Sequence, residues 1–198
     1  MPVPLGLSSP SADIQAASGI LNHLLYLTPN RGLLYVTDTY GPSATPTHTF
    51  EHLSCFLPGL LALGARTLPL ADEQRQLHLW AAQGLAYTCW ITYADHETGL
   101  GPDEMTMDDW NDDPAGFRGR WVDHVRAWKA KGSPGGVPPG LREVETRERG
   151  QRDYTPRKPG YLLRPEVRDC PPWCELVVLI LLERRVRRPW RASTCCGD

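Results

Sequence analysis

The sequence predicts an all-α fold, on three observations. Apolar residues recur at helical spacing in three separate segments. These are Ile14, Ala17, Leu21, Leu24 and Leu25; then Phe50, Leu53, Phe56, Leu57, Leu60 and Leu61; then Leu77, Trp80, Ala81, Gly84, Leu85, Thr88 and Ile91. Turn chemistry separates the segments, and a single short strand candidate lies between them, so no repeated strand signal competes. Nineteen prolines and eighteen glycines are many for a helical chain and assign the remainder to long irregular connections.

Taken in order, Met1 to Pro10 is a patternless Pro/Ser-rich lead. Ser11 can cap a first helix that runs through Leu25. Thr28-Pro29-Asn30-Arg31-Gly32 is turn chemistry, and Leu33 to Thr37 is the strand candidate, part of a short β-hairpin element. A Gly/Pro loop, Gly41 to Pro46, leads to a central helix from Thr47 to Gly64. Pro58 lacks an N–H and should bend or break that helix near its middle. Ala71 to Tyr93 is a long helix. From Met105 to Pro159 the pattern dissolves, with one helical piece at Trp121–Trp128 and a mixed charge run, Arg142 to Arg152, that reads as a solvated loop.

A net charge of −2 and a pI near 6.3 argue against both a nucleic-acid partner and an acidic disordered chain. Met1 to Pro10 lacks the basic start and apolar core of a secretory signal. The one strong apolar run, Leu176 to Leu182, is too short to span a bilayer, so the chain as written reads as soluble, with no membrane anchor and no transmembrane segment. Six cysteines fit either a disulfide protein or scattered thiols. Cys170-x3-Cys174 and adjacent Cys195-Cys196 lack paired zinc-ligand spacing.

Within the central stretch, His48, Glu51 and Cys55 are three and four apart and would share one helix face, with His52 beside it. Such polar groups at the mouth of a buried helix can form a site. The alternative is a structural, hydrogen-bonded core histidine.

The string Glu51-His52-Leu53-Ser54-Cys55-Phe56-Leu57-Pro58-Gly59 and its continuation to Ala65 closely resemble the class I α-1,2-mannosidases, glycoside hydrolase family 47. Tyr35-Val36-Thr37-Asp38, Tyr87-Thr88-Cys89, Thr98-Gly99-Leu100-Gly101-Pro102-Asp103-Glu104 and Tyr161-Leu162-Leu163-Arg164-Pro165-Glu166 match in the same order. The resemblance covers about residues 11–166 and a middle part of the family's domain. It implies a piece of an (α/α)7 barrel, with residues 1–10 as a disordered lead and 105–159 as an exposed loop insertion. Residues 167–198 form a tail with no family counterpart.

The implied activity is hydrolysis of terminal α-1,2-linked mannose from N-glycans by a Ca2+-dependent inverting mechanism. The setting is the endoplasmic reticulum or Golgi, and the protein a monomer. Inversion needs a proton-donating carboxylic acid and a carboxylate base ~6.5–9.5 Å apart. Glu166 matches the family's base, and Arg164 and His52 match substrate-contacting residues. One pocket carboxylate follows Thr-Gly-Leu-Gly-Pro. Strict register gives Asp103, and a one-residue slip gives Glu104, which its residue type favours. Cys55 and Cys89 match a family disulfide, against the alternative of two buried thiols. The family's calcium threonine and general acid have no matching motif in this chain. The alternative function is therefore a catalytically inactive product or glycan-binding pseudoenzyme that keeps His52, Arg164 and Glu166.

Overall fold

The computed structural model describes residues 10–141 and 152–160. The order is α1 (Pro10–His23), β1 (Leu25–Leu27), β2 (Leu34–Val36), β3 (Thr39–Tyr40), β4 (Thr45–Pro46) and β5 (Thr49–Glu51). A 3-10 turn (His52–Phe56) follows, then α2 (Leu57–Thr67), α3 (Asp72–Ala94), β6 (Glu104–Met107), α4 (Trp121–Ala130) and β7 (Tyr154–Lys158).

The fold is mixed helix and sheet, which corrects the all-α expectation. Two antiparallel hairpins, β1–β2 and β3–β4, accompany a three-stranded antiparallel sheet of order β5-β6-β7. Strands this short carry too few residues to display a period of two. In the larger sheet the partners are far apart in sequence, Thr49 opposite Thr106 and Met107 opposite Tyr154, so no local pattern announces the pairing.

The central stretch is the second correction. It is not one helix from Thr47: residues 49–51 are extended, residues 52–56 form the 3-10 turn, and α2 starts only at Leu57. Pro58 lies in the first turn of α2, where its missing N–H costs no intrahelical bond, so it starts a helix rather than breaking one. The expected apolar stripe splits. Phe50 and Leu61 are buried, whereas Leu53, Phe56 and Leu60 are more than half exposed. At the N-terminal side, α1 stops at His23, and Leu25 opens β1.

The expected irregular insertion is the third correction. Met105, Met107, Trp121, Val122, Val125 and Tyr154 are all buried in the core. Trp121 and Val125 of α4 join Leu21, Leu25, Leu34, Leu61, Trp80 and Leu85 in one apolar cluster. Met105, Met107 and Tyr154 join Tyr35, Phe50, Cys89 and Ile91 in a second. The helical piece expected at Trp121–Trp128 is α4, and in the rest of the region the apolar positions are too sparse between turn residues to show a period.

Helix α3 touches both clusters. A Cβ on Gly84 would lie 2.7 Å from Leu34 Cδ2 and 2.9 Å from the Gly140 carbonyl, so the missing side chain sets how closely α3 approaches β2. Cys55 and Cys89 form a disulfide, with Cα atoms 6.0 Å apart, that ties the 3-10 turn to α3. Among the described residues, no helix is long and apolar enough to cross a membrane.

Candidate functional site on the polar face of the three-stranded sheet

Successive strand residues point to opposite faces, and the β5–β7 sheet uses this cleanly. Phe50, Met105 and Met107 fill the buried face. Thr49 and Glu51 of β5 stand directly opposite Thr106 and Glu104 of β6, and together they make the other face polar. The motif pieces meet at the Glu51–Glu104 end. The His52 amide donates to the Asp103 carbonyl at 2.9 Å, and the Asp103 amide donates to the Lys158 carbonyl at 2.9 Å. Residues from 51–55, 98–104 and the segment leading to 161–166 are thus neighbours.

His52 is buried, with its Nε2 hydrogen-bonded to the Tyr93 hydroxyl and its ring edge-on to the Tyr93 ring at 5.4 Å. A Cβ on Gly101 would sit 2.8 Å from that tyrosine ring, so the glycine of the Thr98–Glu104 motif makes room for the pair. The imidazole therefore joins the 3-10 turn to α3 in the interior.

Glu104 is also nearly buried, its side chain 7% exposed. Arg157 Nη1 lies 2.9 Å from its Oε1, and the Lys158 ammonium contacts its Oε2. The Lys158 hydrogen bond, with Arg157 adding to it, outweighs burial and holds the carboxyl below the usual carboxylate range. Its partner Lys158 is held above the usual lysine range, first by the same bond.

Beside this pair lies a small cavity of about 50 Å3 lined by Val36, Thr37, Asp38, Thr49, Glu51 and Ser54. It joins the Tyr35–Asp38 and Glu51–Cys55 pieces, and its hydroxyls and carboxylates suit sugar hydroxyls.

The shared helix face expected for His48, Glu51 and Cys55 does not form, because the strand and the 3-10 turn send them apart. Cys55 reaches Cys89, and Glu51 faces Glu104. His48 has a left-handed backbone, φ 56°, and its Nδ1 lies 2.6 Å from the Tyr35 hydroxyl. Burial pushes Tyr35 far above the usual phenol range, so Tyr35 donates and His48 Nδ1 accepts. Burial also lowers the His48 imidazole, which favours this neutral form.

At the other end of β6, burial first and then Asp153 and Asp109 raise the Asp108 carboxyl. Four strand residues at ~3.3 Å each put Asp108 on the order of 13 Å from Glu104, outside the span of an inverting pair.

Arg164 and Glu166 lie outside the described residues, as does the tail from residue 167. Among the described residues, no group of three or more His, Cys, Asp or Glu side chains is placed to hold a metal ion. Reading the sequence missed Arg157, Lys158, Asp38 and Thr37 as members of the site. Only the adjacency of Arg157-Lys158 to the Tyr161–Glu166 motif could have flagged the first two.

A family model for glycosyl hydrolase family 47 matches residues 14–170. The chain is 36% identical over 101 residues to the mannosyl-oligosaccharide 1,2-alpha-mannosidase MNS3 of Arabidopsis thaliana, covering 46% of this chain and 16% of that protein. It is 36% identical over 91 residues to mannosyl-oligosaccharide 1,2-alpha-mannosidase IC of Homo sapiens, covering 45% and 13%. An endoplasmic reticulum mannosyl-oligosaccharide 1,2-alpha-mannosidase of Rattus norvegicus matches at 36% over 91 residues, covering 46% and 13%. The chain belongs to glycosyl hydrolase family 47. It aligns with less than a fifth of the length of each of these relatives.

Proposed function

We propose that this chain handles terminal α-1,2-linked mannose of high-mannose N-glycans, within a Ca2+-dependent inverting α-1,2-mannosidase. The observation that carries the reading is that the motif pieces holding His52, Asp103 and Glu104 meet through backbone bonds at one end of the sheet, beside β7, whose last residues precede Tyr161–Glu166. In this reading Glu166 is the base that activates water, and Arg164 and the carboxylate after Pro102 contact the sugar. His52 braces the site through Tyr93. Ca2+, when bound, would coordinate sugar hydroxyls and help distort the ring. Its ligands are assigned to none of the described residues. The Cys55–Cys89 disulfide suits the oxidising secretory pathway, where such glycans are trimmed.

One observation favours the second reading, a glycan-binding product without hydrolysis. Glu104 is held ionised by two cations and is no proton donor near neutral pH. Calorimetric titration with α-1,2-mannobiose and with α-1,6-mannobiose tests both readings. Binding of the α-1,2 isomer alone supports them. Equal binding of both isomers, or of neither, would overturn them.

A further inference from the structure

The β6–β7 pairing contains an irregularity. Glu104 pairs with Lys158 and Met105 pairs with Pro156, which leaves Arg157 as an extra residue on β7. In a regular strand, adjacent residues point to opposite faces, so two consecutive cations could not meet one carboxylate. A bulge re-aims one of them. Here both reach Glu104, Arg157 at 2.9 Å and Lys158 in direct contact, while their own side chains remain 56% and 65% exposed. Arg157 also lies 3.4 Å from Thr49 Oγ1, so it spans all three strands.

The clamp has an electrostatic reason. Glu51 and Glu104 stand directly opposite across β5 and β6, and like charges so placed repel. Lys158 answers Glu104 first and is influenced also by Glu51 and Asp103. Without cations from the bulge, three carboxylates would crowd one sheet end.

We propose that Glu104 is a positioning residue: with Arg157 and Lys158 it locks the bulged end of β7. The clamp stands on geometry alone, whereas its effect on sugar binding rests on the mannose reading above. An ionised carboxylate has about four lone-pair sites, so two cations alone do not exhaust it, but with its side chain 7% exposed Glu104 has little surface left for a sugar hydroxyl. Its neighbour Asp103 has backbone bonds on both sides, to His52 and to Lys158, which tie the clamped end to the 3-10 turn.

The test uses the full chain with Glu104→Gln, Lys158→Met and the exchange Glu104→Lys/Lys158→Glu. Two readouts are followed: NMR titration of the Glu104 carboxyl together with amide shifts of residues 154–160, and α-1,2-mannobiose affinity. The clamp predicts that Glu104 titrates below an ordinary glutamate and returns towards it in Lys158→Met. Amides 154–160 should shift in Glu104→Gln and recover in the exchange variant. A Glu104 that titrates normally in the native chain would overturn the clamp whether or not the chain binds sugar.

For the sugar, Glu104→Gln should weaken binding about tenfold or more. The exchange should restore most of it, because a lysine can rebuild the ion pair but cannot accept from a hydroxyl. An exchange variant that regains the native amide shifts yet still binds as weakly as Glu104→Gln would make Glu104 itself the sugar contact and overturn its positioning role. Absence of binding in the native chain refutes the mannose reading and leaves the clamp to be judged by the titration.

Discussion

Opening the Cys55–Cys89 disulfide should lower stability by an amount the structure lets one work out. The cysteines are 34 apart, and the chain-entropy relation then gives about 3.8 kcal/mol at 25 °C for the cross-link. For a chain of this size each kcal/mol moves the melting temperature by ~2–4 °C, so the expected fall is roughly 8–15 °C. Thermal melts followed by circular dichroism, with and without a phosphine reductant, measure it. The reductant also acts on Cys170, Cys174, Cys195 and Cys196, so Cys55→Ala/Cys89→Ala isolates the pair. That variant should melt at or slightly below the reduced native chain, since Cys89 is buried and its sulfur volume is lost as well. A melting temperature unchanged within ~2 °C on removing the pair, or a peptide map with both thiols free in oxidised protein, would refute the reasoning.

Three further outcomes follow from the same structure. Gly84→Ala should destabilise by ~1–3 kcal/mol in urea titration, because the Gly140 carbonyl is backbone and cannot move aside from the new methyl group. Arg31→Met should cost ~3–5 kcal/mol by the same assay. It takes from the buried Asp95 carboxylate a guanidinium at 2.7 Å and leaves it with fewer donors, the Tyr154 hydroxyl among them. The Asp113 carboxyl is pushed up by burial, but the Ala115 and Gly119 amides and His124 outweigh that and hold it below its usual range. A depressed carboxyl stabilises the fold above its unfolded-state pKa and loses that contribution as pH falls through the folded value. Native chain should therefore lose stability in acid more steeply than Asp113→Asn, as read by urea midpoints from pH 7 down to pH 3.

Much of the organisation was legible in the sequence because it is local. The helical period of residues 72–94, the turn at Thr28–Gly32 and the strand after it are all written in contiguous residues. The cysteine pair and the motif order came from the family resemblance. The sheet was not legible, because Thr49–Glu51, Glu104–Met107 and Tyr154–Lys158 are three to five residues each and meet only through long-range pairing. Pro58 misled for a physical reason: the same residue that breaks a helix interior is favoured in its first turn, and periodicity does not say where the first turn is. His52 and Glu104 come from two motif pieces that meet through the His52 amide and the Asp103 carbonyl. Their partners Tyr93, Arg157 and Lys158 arrive from other elements and from a bulge that no local pattern encodes.

The measurement that bears most directly on the central claim is release of free mannose from an α-1,2-linked oligomannose glycan. It compares calcium with a chelator, and the native chain with Glu166→Gln. Since Glu104 is held ionised and the family's general acid has no matching motif in this sequence, the account predicts that residues 1–198 alone bind the glycan and release no mannose above background. Release that the chelator and Glu166→Gln both abolish would contradict that prediction and place a working proton donor in this chain.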